Sequence, residues 1–266
     1  MTVQFRELER AARVAPFGVQ FRDPLSASFV RDGLEVALHP ADNPRRRVYA
    51  HLNRSDVYVL HNGPGLTPAS FGRGDEAYWL APPVTRDYRC EVRDLQSRYL
   101  PVSFGVRLPF RGLFTPECGS PPAQGVALYS APTRLMTGER AVVRAELVNA
   151  ATGKSAAWAA VTAHYRGAEL GRGIADAQGR LLLAFPYPEP GRSPPEEPEA
   201  GVLMSWEIDL RVYYDAGLGG QQLPDYCALL AQPEASLLEE RSPPRPLDPA
   251  KVVLGRELVY PRLFIA

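Results

Sequence analysis

The sequence predicts an all-β protein: two β-sandwich domains, a short N-terminal helix and an extended C-terminal arm. Three observations lead there. From Met204 to Tyr214 the residues Met204, Trp206, Ile208, Leu210, Val212 and Tyr214 alternate with Ser205, Glu207, Asp209 and Arg211. A strand sends successive side chains to opposite faces, so this reads as one long strand with a buried side and a wet one. Similar short segments recur between turn-forming residues, which is the spacing of a sandwich rather than of helices. The chain also carries 27 Pro and 22 Gly, suited to a loop-rich β protein with interrupted strands and guarded edges.

Residues 4–14 read as the short helix, with Phe5, Leu8 and Ala12 on one side and Pro16 ending it. Strands then follow at Leu34, Val36 and Leu38, at Val48, Ala50 and Leu52, and over 57–60, 89–94 and 102–108. The irregular stretch 63–83 offers Phe71 and Trp79 as plugs over a sheet edge. A cluster of Pro116, Gly119, Pro121 and Pro122 marks a domain boundary over 115–124. The second set comprises 125–130, 142–149 (Val143, Ala145 and Leu147 inward), 158–165, 169–176, 180–185 (Leu181, Leu183 and Phe185 inward) and 204–214. The predicted division is a lead-in over 1–29, a first sandwich over 30–115, a linker over 116–124, a second sandwich over 125–228 and a Pro-rich arm over 229–266.

Two segments are candidate partner contacts. The loop 186–201 holds six prolines, among them Pro194 and Pro195, beside Glu196, Glu197 and Glu199; it reads as a solvated hairpin extension or a recognition arm. The chain closes on Leu258, Tyr260, Leu263, Phe264 and Ile265. An end this apolar completes a sheet of its own chain or docks on a neighbour. Arg45, Arg46 and Arg47 form the sole basic cluster, an exposed loop that an acidic partner surface could meet.

Composition narrows the function. Thirty basic against thirty acidic side chains leave no net charge, which argues against a general electrostatic grip on nucleic acid and is compatible with life in an assembly. No stretch approaches the roughly 20 apolar residues of a membrane span. The charged start, with Arg6, Glu7, Glu9, Arg10 and Arg13, lacks the apolar core of a signal peptide, so a cytoplasmic protein is expected. Cys90, Cys118 and Cys227, odd in number and far apart, read as reduced and mostly buried thiols.

No catalytic or metal motif emerges, and no cofactor is expected. His39, His51, His61 and His164 fall in no zinc-binding spacing; His51 and His164 lie on the polar sides of their strands and read as surface residues. There is no Gly-x-Ser-x-Gly elbow, and the paired glycines fall between β segments, where no helix follows to cradle a phosphate. A hydrolase would need His39, His51 or His61 beside a nucleophile or carboxylate in a cleft. A carbohydrate-binding module would need Tyr78, Trp79 or Tyr88 exposed as a stacking platform.

The order of residues 144–190 carries a resemblance. A strand leads into Asn149-Ala150-Ala151-Thr152-Gly153, a second holds Ala159-Ala160-Val161, and a hairpin Ile174-Ala175-Asp176-Ala177-Gln178-Gly179-Arg180 precedes a strand ending Phe185-Pro186. Residues 125–214 thus resemble the carboxypeptidase regulatory-like domain, a transthyretin-like member of the immunoglobulin-style sandwiches. Asp176 would bond turn amides, and Gly179 would supply a positive φ. Ala175 and Leu181 stand where that family has Thr and Phe. The resemblance implies a non-catalytic structural or adaptor component joined to other protein subunits. Such domains are also similar to ones in phage-tail-like contractile injection particles.

Overall fold

The computed structural model describes residues 12–66, 69–71, 84–118, 125–136, 139–189 and 204–266. The described residues are all-β, with 49% of them in strands and 4% in helix. Most of the expected helix, and the plug residue Trp79, lie outside the described residues. The end of that segment, residues 12–14, is a strand instead, paired antiparallel with 69–71.

The first half contains β1 (Ala12–Val14), β2 (Phe17–Val19), β3 (Phe21–Arg22), β4 (Leu34–Pro40), β5 (Val48–Tyr49), β6 (His51–Leu52), β7 (Tyr58–Leu60), β8 (Ala69–Phe71), β9 (Arg86–Asp94), β10 (Val102–Leu108) and β11 (Val126–Ala127). One sheet runs β10-β9-β4-β5 and another β2-β7-β6. The expected strand 48–52 is divided at Ala50: β5 stays on β4, whereas β6 crosses to β7. Alternation decides what each strand buries. Phe104, Val106 and Leu108 of β10, Tyr88, Cys90 and Val92 of β9, and Phe17 and Val19 of β2 all enter one core.

The second half contains β12 (Ala141–Asn149), β13 (Ala160–Tyr165), β14 (Ala168–Ile174), β15 (Arg180–Phe185), β16 (Ser205–Tyr213), the short helix α1 (Tyr226–Leu230), β17 (Glu234–Ala235), β18 (Leu237–Arg241), β19 (Pro244–Pro246), β20 (Ala250–Val253) and β21 (Glu257–Ile265). Its sheets are β15-β12-β21-β18-β19 and β14-β13-β16-β17, with β20 also on β16. Val143, Leu147, Leu181 and Phe185 meet Val161, Ile208 and Val212 in a second core. β16 buries Trp206, Ile208 and Val212 and turns Glu207 and Asp209 outward, following the alternation read in its sequence.

Residues 229–266 are not an extended arm. They supply five strands to both sheets of the second half. β21 lies between β12, to which it is parallel, and β18, to which it is antiparallel. A parallel neighbour must come from far along the chain, and this one comes from its end. Of the two uses open to the apolar C-terminus, it completes a sheet of its own chain.

The first core also takes in residues of the second half, the largest being Trp158, which is 2% exposed and lies two residues before β13. Its backbone is left-handed (φ 64°). That costs an L-residue about 1–2 kcal/mol, so its surroundings must hold it. The indole N–H donates to the Gln221 carbonyl (2.9 Å), and the Trp158 carbonyl accepts from Gln232 Nε2 (2.9 Å).

The cysteines correct the sequence reading. Cys118 and Cys227 form a disulfide across 109 residues, their Cα atoms 5.0 Å apart, and only Cys90 is a free, buried thiol. Sequence spacing could not show this, because folding alone brings the two positions together.

A candidate binding groove at a sheet edge

β10 forms one margin of its sheet. It pairs with β9 over Val102–Leu108 without a register shift. The Ser103 N–H points away from β9 and donates to the Pro224 carbonyl (2.9 Å). Main-chain direction repeats every second residue, so the N–H and C=O of Gly105 and Arg107 also face outward. No protein group among the described residues bonds them. A side chain at Gly105 would meet nothing within 4 Å.

Beside this edge lies a cavity of about 510 Å³. Its floor is aromatic. The Phe104 and Phe114 rings stack at 5.4 Å, and Phe110 meets Phe114 edge-on at 5.3 Å. Phe104 comes from an inward position of β10, and Phe110 and Phe114 from the segment 109–114 that follows it. Tyr88 also lines the cavity; burial raises the pKa of its hydroxyl, which donates to the Pro64 carbonyl.

The opposite wall is Thr115, Pro116 and Glu117, held by the Cys118–Cys227 bond to α1. Asp225 caps that helix, accepting from the Cys227 and Ala228 amides (3.0 and 3.2 Å). Its other oxygen lies 3.9 Å from Arg89, which donates to Ser103 Oγ at 2.6 Å. Arg107 faces Asp87 across the strands, and neither forms an ion pair among the described residues.

The polar side chains of Arg89 and Ser103 at this edge are engaged in contacts within the fold. Ser103 Oγ donates toward the Leu223 and Pro224 carbonyls, so no base is placed to activate it. Burial pushes the Cys90 thiol well above its ordinary range, away from a reactive thiolate. Among the described residues no group of His, Cys, Asp and Glu could hold a metal ion, and no helix is long and apolar enough to cross a membrane.

The expected residues are dispersed. Arg45 and Arg46 are exposed in the turn before β5. Arg47 pairs with Glu91, which His39 Nε2 also reaches at 3.3 Å. His39 is buried, with its Nδ1 2.9 Å from the Pro40 carbonyl and its Nε2 beside the Glu91 carboxylate. His51 and His61 are exposed, their rings 5.1 Å apart. His164 corrects its surface assignment. It is 8% exposed and bonds Thr162 Oγ1 at 2.9 Å, because its strand is flanked on both sides by β14 and β16.

Asp176 accepts from the Gln178 and Arg180 amides, both at 2.9 Å, and Gly179 has φ +77°. A Cβ at Gly179 would sit 2.5 Å from the Leu147 carbonyl oxygen, so only glycine fits. Leu263 and Ile265 are buried in the second core; Leu258 and Tyr260 pack against it, and Phe264 is half-buried beside Val148 and Leu238. Buried Tyr88 offers no stacking platform. Tyr78, Trp79, Pro194 and Pro195 lie outside the described residues.

Sequence reasoning found β10 but not that it is an edge. It also missed the aromatic floor, because strand order is not written in a strand's own periodicity.

No protein-family model matches the chain, and no curated protein matches it. Among solved structures it is similar to a streptococcal ancillary pilin, with 10% identity over 96% of this chain and 62% of that one and a TM-score of 0.26. It is also similar to the Bacillus anthracis TIE protein, with 7% identity over 94% and 34% and a TM-score of 0.24. The chain spans less than two thirds of either. Likeness this distant carries no argument about what the chain does.

Proposed function

We propose that this chain is a non-enzymatic, protein-binding component of a larger assembly, working where disulfides persist. The observation that carries this is the groove at β10. It offers open main-chain groups, an aromatic floor and a charged rim, with no nucleophile, base or metal ligands converging on it among the described residues.

The Cys118–Cys227 bond supports an oxidising compartment rather than the expected cytoplasm, since thiol reductants keep cytosolic cysteines apart. We place two sandwich domains on either side of residues 116–124, with 229–266 completing the second rather than reaching outward. The second core, which lies wholly after that linker, supports this division, while the first draws on both sides of it, taking in Val126, Leu128, Trp158, Ile174, Tyr226 and Leu229. No observation on this chain singles out a contractile injection particle.

The test is the solution mass of the oxidised full-length chain by light scattering, alone and after crosslinking in its native extract, with the crosslinked sites mapped. Discrete complexes that include this chain are expected. A chain that stays monomeric and crosslinks to nothing, or that turns over a substrate in hydrolase screens, would overturn the proposal.

A further inference from the structure

Other sheet margins among the described residues are guarded or short. β19 carries Pro244 and Pro246, which have no N–H to offer a neighbour. β14 and β15 run so close together that a Cβ at Gly173 would lie 2.7 Å from the Leu182 carbonyl oxygen. β5 is only two residues long. β10 has seven residues, no proline and no bulge, and beyond Ser103 its outer face is open.

We infer that this edge takes an extended strand from a protein partner, whose core alternates an aromatic, an aliphatic and an acidic residue. This rests on the protein-binding reading above and adds the partner's chemistry. Pairing with Gly105 and Arg107 sets the periodicity of the incoming strand. Residues opposite those two positions stand two apart on the outer face, and the residue between them points inward over Phe104 and Phe114.

Each position has its own preference. The empty space over Gly105 accepts an aromatic ring folded across the glycine. Arg107 is the charged residue of the edge strand itself and has no ion pair among the described residues, so an acidic side chain meets it. The inward position meets stacked phenyl rings and takes an aliphatic side chain. The edge already accepts main chain at Ser103, where residues 224–225 lie parallel to it.

A second copy of this chain fits less well. Antiparallel self-pairing centred on Gly105 would drive the copy into residues 223–225. Centred on Arg107, it would set two guanidiniums opposite each other.

The experiment titrates the oxidised, full-length, ¹⁵N-labelled chain with a capped ten-residue peptide. The peptide has tyrosine, valine and aspartate in sequence at its centre and threonines on either side. Amide exchange at Gly105 and Arg107 is expected to slow at least about tenfold at saturation, as an amide engaged in pairing does. Gly105→Pro removes one outward N–H at a position where an edge strand tolerates proline, and should weaken binding about tenfold. Arg107→Glu should weaken binding by a similar factor of about ten and shift preference to a peptide with lysine in place of aspartate.

Unprotected Gly105 and Arg107 amides at saturation, equal binding of a scrambled peptide, or an Arg107→Glu protein with unchanged preference would each overturn the inference. Should Gly105→Pro fail to fold, the Arg107 charge swap decides the matter. Complexes whose crosslinks map away from β10 would overturn this site while leaving the protein-binding reading standing. An absence of any complex would remove both.

Discussion

The two larger cores of this molecule are built from different materials. The first packs Phe17, Phe21, Tyr58, Tyr88, Phe104, Phe114 and Trp158 under strands that are in several cases only two or three residues long. The second is mostly Ala, Val, Leu and Ile between strands of up to nine residues, with Phe185 and Trp206 as its buried aromatics. Short strands make few ladder bonds, so the first region leans on large rings and on staples. One staple is the disulfide. Another is a charge cluster in which Arg134 binds Asp23 at 2.5 Å, Tyr99 donates to Asp23 at 3.2 Å, and Arg98 joins Asp94 to Asp32 at 3.1 and 3.0 Å. The second region needs no covalent tie, because β21 sits at the centre of its sheet with neighbours on both sides. Where ladders are long the backbone carries the fold; where they are short, side chains and a covalent bond do.

Removing the chain after Val253 tests this contrast most severely. It deletes β21 and strips β12 and β18 of their shared neighbour. The loss should exceed the roughly 5–15 kcal/mol that holds an ordinary domain together, so the second region is expected to lose its cooperative transition in calorimetry. A sharp transition and protected β12 amides in the truncated chain would break the contrast.

Trp158→Ala attacks a place where the regions meet and should cost about 3–5 kcal/mol in denaturant unfolding, since it empties a large buried site. If the two cores are coupled through this residue, one transition should separate into two. A single transition with unchanged midpoint would show that they are not.

Replacing Cys118 and Cys227 together by Ser should cost about 2–5 kcal/mol, given the long loop the bond closes. The loss is expected in exchange rates around β10 and α1 and not around β12. Equal loosening of both regions would remove the claim that the staple serves the first alone.

Acid sharpens the same point on a smaller scale. Burial raises the pKa of Asp23, but hydrogen bonds from Arg134 and the Leu25 amide outweigh it, and the carboxyl ends below its ordinary value of 3.8. Asp94, likewise raised by burial, is brought below that value by hydrogen bonds from Arg98. A carboxyl with a folded-state pKa below its unfolded one stabilises fully above the unfolded value and stops doing so as pH falls through the folded one. Stability is therefore expected to be level from neutral pH to about 5 and to fall below about 4, with a gentler slope in Asp23→Asn. An identical slope in the variant would show that the cluster does not staple the first region.

Asp176→Ala in the second region should cost least, about 1 kcal/mol, because the Leu147 and Leu181 strands hold the hairpin even after two amides lose their acceptor. A loss as large as that of the disulfide would mean that turns, not ladders, carry this half.

Local sequence determined which residues share a face. The alternation in β12, β15 and β16 grouped the residues that enter the second core, because side-chain direction in a strand depends only on its own period of two, but it did not show that Val142, Leu182 and Ala184 on the opposite face are buried as well. It also placed a turn at Asp176–Gly179, where an acceptor and a left-handed glycine lie within five residues. Only the tertiary structure decided which strands are neighbours. That choice made β10 an edge, put the C-terminal strand between β12 and β18, brought Cys118 to Cys227, buried His164 and left Arg107 without an ion pair among the described residues. Each depends on contacts between segments that can be more than a hundred residues apart. Such contacts are selected by the packing of whole sheets, and no local period records them.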